Sequence, residues 1–250
     1  MANTYFQFKQ FIVHQDQCAM KVTTDGCLFG AWVADIVRSK KPEGGSEQLV
    51  KRVLDIGTGT GLLSLMLAQA NPNLLIDAVE IDPDAADQAA TNVAASPWAD
   101  RINVVQADIK EFSSANKYDL VISNPPFYEN ELKGDDAKKN TAHHEGGLLL
   151  PELLGVIKEQ LKPGGRFFLL LPYKRNEEIK ELLLRQPVQT RKLVLVKPVS
   201  HHSYFRILIE CSFHTDKERD TSIDELCIKD ENGSYSPDFI RLLKDYYLHL

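Results

Sequence analysis

The chain has 250 residues, 43% of them apolar, and a formal net charge of −6. That length suits one large α/β domain, or one domain with small additions, and no apolar run in it is long enough to span a bilayer. The acidic balance argues against a protein that coats nucleic acid without selection, and four widely spaced cysteines with no C-x-x-C point to reduced thiols and no structural metal.

The opening "MANTYFQFKQF" has no basic stretch followed by an apolar one and reads as no secretory signal, so a cytoplasmic protein is expected. Residues 1–25 are amphipathic and partly alternating. "TTDG" follows, with Asp25 expected to N-cap a helix through "GCLFGAWVADIVRS". Residues 39–47, "SKKPEGGSE", read as a loop. Strands and helices then take turns. "VKRVLDI" is a buried strand before a helix over 61–70. "LLIDAVEI" is a strand before the helix "PDAADQAATNVAAS", with Pro83 in its first turn. "INVVQA" and "YDLVIS" are the next strands, "LLLPELLGVIKEQL" a helix stopped by "KPGG", and "RFFLLLP" a fifth strand. A helix over 175–185 follows, then two adjacent strands, "KLVLVKPV" and "FRILIECSF". The tail "SPDFIRLLKDYYLHL" ends the chain as a helix capped around Ser236 or Asp238.

This alternation predicts a seven-stranded, mostly parallel sheet with helices on both faces. The last two strands have no helix between them and form its antiparallel end. In open sheets of this kind a ligand lies beyond the carboxyl ends of the strands. Two unusual stretches sit at such ends: "DIGTGTG", residues 55–61, and "NPPFY", residues 124–128.

In the first, Asp55 closes a strand, and Gly57, Gly59 and Gly61 let the chain turn sharply and approach a ligand without Cβ clashes. The following helix directs its first N–H groups at the same place. The spacing is G-x-G-x-G followed by Leu62, not the G-x-G-x-x-G of dinucleotide sites, so a ligand without a pyrophosphate is favoured. Glu80, ending the next strand, is placed to bind a ribose diol. Asp108, ending the third, is placed to accept from an exocyclic adenine amine. Asp55, Glu80 and Asp108 around a glycine turn resemble the S-adenosylmethionine (AdoMet) site of class I methyltransferases. "LKPGGRFFLLLP" resembles the helix–turn–strand that leads into their fifth strand.

In the second stretch, Pro125 and Pro126 have fixed φ, and Asn124 before them is held extended. The stiff corner offers an amide oxygen on Asn124, the Pro125 carbonyl and the Phe127 ring. Two acceptors facing the N–H bonds of a planar amine favour its pyramidalisation, and an aromatic ring stacks the base that carries it. The corner resembles the N/D-P-P-Y/F signature of methyltransferases acting on an NH₂ attached to sp² carbon: adenine N6, some guanine amines and protein glutamine.

The flanks are more particular. "FKQFIVHQDQCAMKVTTDGCLFGAW" (residues 8–32) and "ENGSYSPDFIRLLKDYYL" (residues 231–248) resemble the bacterial tRNA1(Val) adenine-37 N6-methyltransferase family over nearly the whole chain. The resemblance implies AdoMet as methyl donor and the adenosine 3′ of the valine anticodon as acceptor. It implies that the segment before the first helix closes the AdoMet pocket, with Lys21 and Thr24 near the methionine end. Catalysis is expected from Asn124, Pro125 and Phe127. Substrate contacts are expected from Phe127, Tyr128 and the basic insert residues Lys133, Lys138 and Lys139. The remaining basic spots are Arg38/Lys40/Lys41, Lys174/Arg175 and Arg191/Lys192/Lys197. His143–His144 and His201–His202 lack metal-ligand spacing, and no metal or membrane partner is expected. Tyr246, Tyr247 and Phe239 read as packing residues. The organisation expected is a single methyltransferase domain over 1–250, with a cap segment 1–38 and a substrate-loop insert 128–147. Rival readings keep the chemistry on ribosomal RNA adenine or a release-factor glutamine. Others make the chain a nicotinamide-dependent oxidoreductase or a non-catalytic RNA-binding module.

Overall fold

The computed structural model describes residues 3–39, 51–125, 148–213 and 220–250. A short hairpin, β1 (Tyr5–Gln7) and β2 (Ile12–His14), precedes helix α1 (Thr24–Ser39). Then come β3 (Arg52–Ile56), α2 (Leu62–Ala70), β4 (Leu75–Glu80), α3 (Pro83–Ala94), β5 (Ile102–Gln106) and β6 (Tyr118–Ser123). The second half holds α4 (Leu150–Gln160), β7 (Leu161–Pro172), α5 (Asn176–Leu184), β8 (Val188–Val199), β9 (Arg206–Phe213), β10 (Ser222–Lys229) and α6 (Pro237–Leu243).

The main sheet runs β10-β8-β9-β7-β6-β3-β4-β5. All its strands point one way except β9, which is antiparallel to both neighbours. The expected α/β architecture with one antiparallel strand is therefore present, but that strand lies inside the sheet between β7 and β8, and among the described residues the sheet has eight strands, not seven. The extra strand is β10, paired in parallel with β8. Its sequence "SIDELCIK" is exposed over its first four residues and buried only at Leu226 and Ile228. An edge strand touching the core at two points carries no continuous apolar run, which is why the periodicity passes it over.

Two apolar layers enclose the sheet. On one face, α1, α2 and α6 cover Val53, Ile76, Leu120, Ile122 and Phe168; on the other, α4 and α5 cover Leu54, Val121, Phe167 and Leu169. Neighbouring residues of one strand fall into opposite layers, as the pleat requires. Strand order reverses between β3 and β6: from β3 the chain winds outward through β4 and β5, then returns to place β6 on the other side. That reversal opens a crevice at the carboxyl ends of these two strands. No helix among the described residues is long and apolar enough to cross a membrane.

The N-cap of α1 differs from expectation. The Thr23 hydroxyl, not Asp25, accepts from the Gly26 N–H, at 3.2 Å. Asp25 lies in the first turn, and its carboxylate instead accepts from Arg206 Nε at 2.6 Å. At α6, Ser236 is the cap, its hydroxyl accepting from the Phe239 N–H.

Candidate active site

Ile56 and Ser123, the last residues of β3 and β6, are register partners. The Ser123 hydroxyl donates to the Ile56 carbonyl at 2.8 Å, locking the two strand ends together. The next residues are Gly57 and Asn124. The glycine turn and the Asn-Pro corner, 67 positions apart in the chain, thus emerge side by side at the switch point.

Gly57, Gly59 and Gly61 adopt φ of 68°, 55° and 81°, the left-handed region that a side chain disfavours. A Cβ added at Gly57 or Gly59 would meet nothing within 4 Å, so the turn presents bare backbone to open space. The turn is pinned from below, with Gly57 N–H and Thr58 N–H donating to the Val79 carbonyl at 2.9 and 3.1 Å. Alternation along the strands puts Asp55 and Glu80 on the α1–α2 face of the sheet.

Asp55 is fully buried. Its Oδ2 accepts from the Thr58 and Ser64 hydroxyls, both at 2.7 Å, while Oδ1 has no partner. Burial pushes this carboxyl up to about 6, against the pull of the two hydroxyls and with a further push from Glu80. A buried acceptor without a donor, beside a cradle of open backbone, fits a site that receives a donor or a cation from a ligand.

Glu80 stands where the sequence reading puts it, at the end of β4, but both its oxygens are already engaged. Oε2 accepts from the Gly59 N–H at 2.8 Å, and Oε1 from the Ile81 and Asp82 N–H groups at 2.9 and 3.1 Å. Three of roughly four acceptor positions are filled, so a diol takes the remaining one or displaces Gly59. Asp108 lies two residues past β5, and its Oδ1 accepts from the Lys110 N–H at 2.9 Å.

Asn124 is half-buried at the rim, and its Nδ2 contacts Met20 Sδ at 3.8 Å. This brings the N-terminal segment across the crevice. The segment is tied down along its length. Asn92 of α3 accepts from the His14 N–H and donates to the carbonyls of His14 and Thr60, at 2.8–2.9 Å. The Gln17 N–H donates to Gln88, and Gln15 accepts from the Val22 N–H. Lys21 follows Met20 and is exposed; Thr24 is exposed at the start of α1. Phe127, Tyr128, Lys133, Lys138, Lys139, His143 and His144 lie outside the described residues, as do Lys40 and Lys41. Among the other basic spots, Arg38 pairs with Asp245, Lys192 with Asp224 and Lys197 with Glu225. Sequence reading missed Thr58, Ser64, Asn92 and Met20. A lone Ser64 inside the apolar "LLSLMLA" is the one signal that invited attention.

A family model for the methyltransferase small domain matches residues 44–195. The tRNA1(Val) (adenine(37)-N6)-methyltransferase of Parabacteroides distasonis is 40% identical, covering all of both chains. That of Dyadobacter fermentans is 42% identical over 98% of each. This chain belongs to the tRNA1(Val) (adenine(37)-N6)-methyltransferase family, AdoMet-dependent enzymes of class I fold. A structure described as a predicted O-methyltransferase from Agrobacterium tumefaciens superposes with a TM-score of 0.59 at 16% identity, covering 85% of this chain and 95% of that one. It shares the fold alone. Family membership sets aside the nicotinamide oxidoreductase.

Proposed function

We propose that this enzyme works in the cytoplasm and transfers a methyl group from AdoMet to N6 of adenosine 37 in the anticodon loop of tRNA1(Val). The observation that carries the reading is the Ile56–Ser123 pairing, which sets an open glycine cradle beside a half-buried Asn-Pro corner. AdoMet supplies an electrophilic methyl group on a sulfonium with a good leaving group.

The chain's residues hold and orient. Gly57, Gly59 and Gly61 give close approach, and Asp55 Oδ1 takes its missing donor from the ammonium of the methionine moiety. Glu80 receives the ribose hydroxyls, and Asp108 the adenine amine. Lys21 and Thr24, on the segment that crosses the crevice, close the methionine end, and residues 1–38 act as the cap of a single domain.

Asn124 Oδ1 and the Pro125 carbonyl accept the two N6–H bonds of the target adenine. Drawing both protons to one side pulls the nitrogen out of the ring plane and localises its lone pair. The Met20 contact turns Asn124 Nδ2 toward the cap, which leaves Oδ1 for this task. Phe127 stacks the flipped base and Tyr128 flanks it; Lys133, Lys138 and Lys139 of the insert 128–147 reach phosphates. No strong side-chain base is needed, because the proton is lost from a cationic nitrogen after transfer and passes to water.

Asn124→Ala is expected to abolish methyl transfer, by 10²-fold or more in kcat, while AdoMet affinity stays within about twofold. Radiolabel transfer to valine tRNA and calorimetric titration of AdoMet measure the two. Turnover like the wild type would sink the assignment of Asn124.

A further inference from the structure

A net charge of −6 poses a physical problem for an enzyme whose substrate is a polyanion. Several cations of the described surface are already engaged. Lys9 Nζ donates to the carbonyls of Lys244 and Leu250, and Arg38 pairs with Asp245, at the edge of the sheet opposite the site. Lys192, Lys197 and Arg206 are each matched by a carboxylate. These cations are not free for phosphates, and contacts that need no positive charge add affinity without them.

The carboxyl edge beside Asn124 offers one. β7 runs three residues past the level of Ser123, which pairs with Leu169, and ends at Pro172 against Arg206. The ends of β7 and β8 and the start of β9 thus rise as a wall next to the corner, the β9 end lying two strands, about 10 Å, from β6. Rings crown this wall. Tyr173 and Tyr204 lie 5.1 Å apart between centroids. Tyr204 is held by its hydroxyl, which donates to Glu225, and by Lys197 Nζ, 4.6 Å from its ring centre, with Tyr173 tilted beside it. His201 and His202, both exposed, have ring centroids 4.5 Å apart on the β8–β9 turn, which the His202 N–H closes by donating to Val199. At the foot of this turn the shielded Ser200 hydroxyl has no hydrogen-bond partner.

We propose that Tyr173, His201, His202 and Tyr204 form a stacking platform for the unpaired nucleotides that flank the target adenosine. The proposal rests on the function proposed above. Planar rings stack on any base without needing positive charge, and single-stranded loops are the RNA elements whose bases are free to do so. The Glu225 and Lys197 contacts hold Tyr204 in one orientation before RNA arrives, which lowers the ordering cost of binding. A platform of this kind lets an acidic chain bind a loop in preference to a duplex, since paired bases hide their faces.

The test uses the full-length enzyme and unmodified valine tRNA. His201→Ala with His202→Ala, on an exposed turn, and separately Tyr204→Leu, are each expected to raise KM for tRNA roughly fivefold or more. kcat at saturating tRNA and the Kd for AdoMet should stay within about twofold. Stacking predicts a further signature: the slope of log K against log salt is the same in variant and wild type, whereas loss of a phosphate contact reduces it by nearly one. Unchanged KM in both variants, or a reduced salt slope, overturns the platform. If wild-type enzyme fails to methylate tRNA at all, the proposed function fails instead, and the two failures are told apart by that control.

Discussion

At the scale of single residues, Asp55 carries the clearest conflict between stability and function. A carboxyl that ionises near pH 6, not at its ordinary 3.8, costs the folded chain about 3 kcal/mol once charged. The penalty is full above about pH 6 and disappears as pH falls toward 4, because the folded state holds the proton more tightly than the unfolded one. A cationic ligand group reverses this by favouring the charged form. AdoMet binding is therefore expected to release protons near pH 6 and to weaken several-fold between pH 7.5 and pH 5. Calorimetry in buffers of different ionisation enthalpy detects the release, and Asp55→Asn should erase it. The importance of Asp55 is readable in "DIGTGTG", because an acid ending an apolar strand before glycines is out of place unless it serves a site. Its partners Thr58 and Ser64 are not readable, since a hydroxyl's direction depends on where the turn folds back.

At the scale of elements, the N-terminal segment behaves as a strap. Asn92 is almost fully buried, and its amide satisfies both backbone groups of His14 and the carbonyl of Thr60. One side chain thereby couples β2, the glycine turn and α3. Asn92→Ala leaves these groups unpaired and should cost about 2–3 kcal/mol, a fall in Tm of roughly 5–10 °C. The KM for AdoMet should rise with it, since the strap and the turn both loosen. Thermal denaturation with and without AdoMet measures both effects. The helices α1 to α5 and the strands β3 to β9 were legible because their apolar periods are long and regular, whereas α6 stops at Leu243 and not at the chain end, since Tyr246 and Tyr247 turn back onto the N-terminal segment. β10 was not, because an edge strand shows the core only Leu226 and Ile228. The start of α1 was misassigned from Thr23 to Asp25 because adjacent residues can each cap, and the choice falls to the partner waiting nearby, here Arg206.

At the scale of the whole molecule, the two ends of the chain form one clasp. Phe8 is buried, stacks on Phe11 at 4.5 Å and bridges to Tyr247, which also packs against Phe6 and Phe239. The Lys9 N–H donates to the Tyr246 carbonyl, and the buried Tyr246 hydroxyl donates to the Met66 carbonyl in α2. The clasp anchors the strap whose other end reaches Asn124. Phe8→Ala should destabilise the fold by about 3–5 kcal/mol and weaken AdoMet binding by freeing the strap. Calorimetric Tm and AdoMet Kd, measured on the same preparation, report the two; a lowered Tm with unchanged Kd would detach the clasp from the site.

The sequence alone determined the sheet class, the glycine turn, the stiff corner and the packing role of the terminal aromatics. Each rests on short-range constraints: apolar period, proline's fixed φ, glycine's freedom. Tertiary structure alone decided that Gly57 and Asn124 are neighbours, that Glu80 spends its oxygens on backbone N–H groups, and that Met20 lies over the corner. Those facts depend on strand order and on the path of the N-terminal segment across α3. Contacts between residues tens of positions apart leave no period in the chain that makes them.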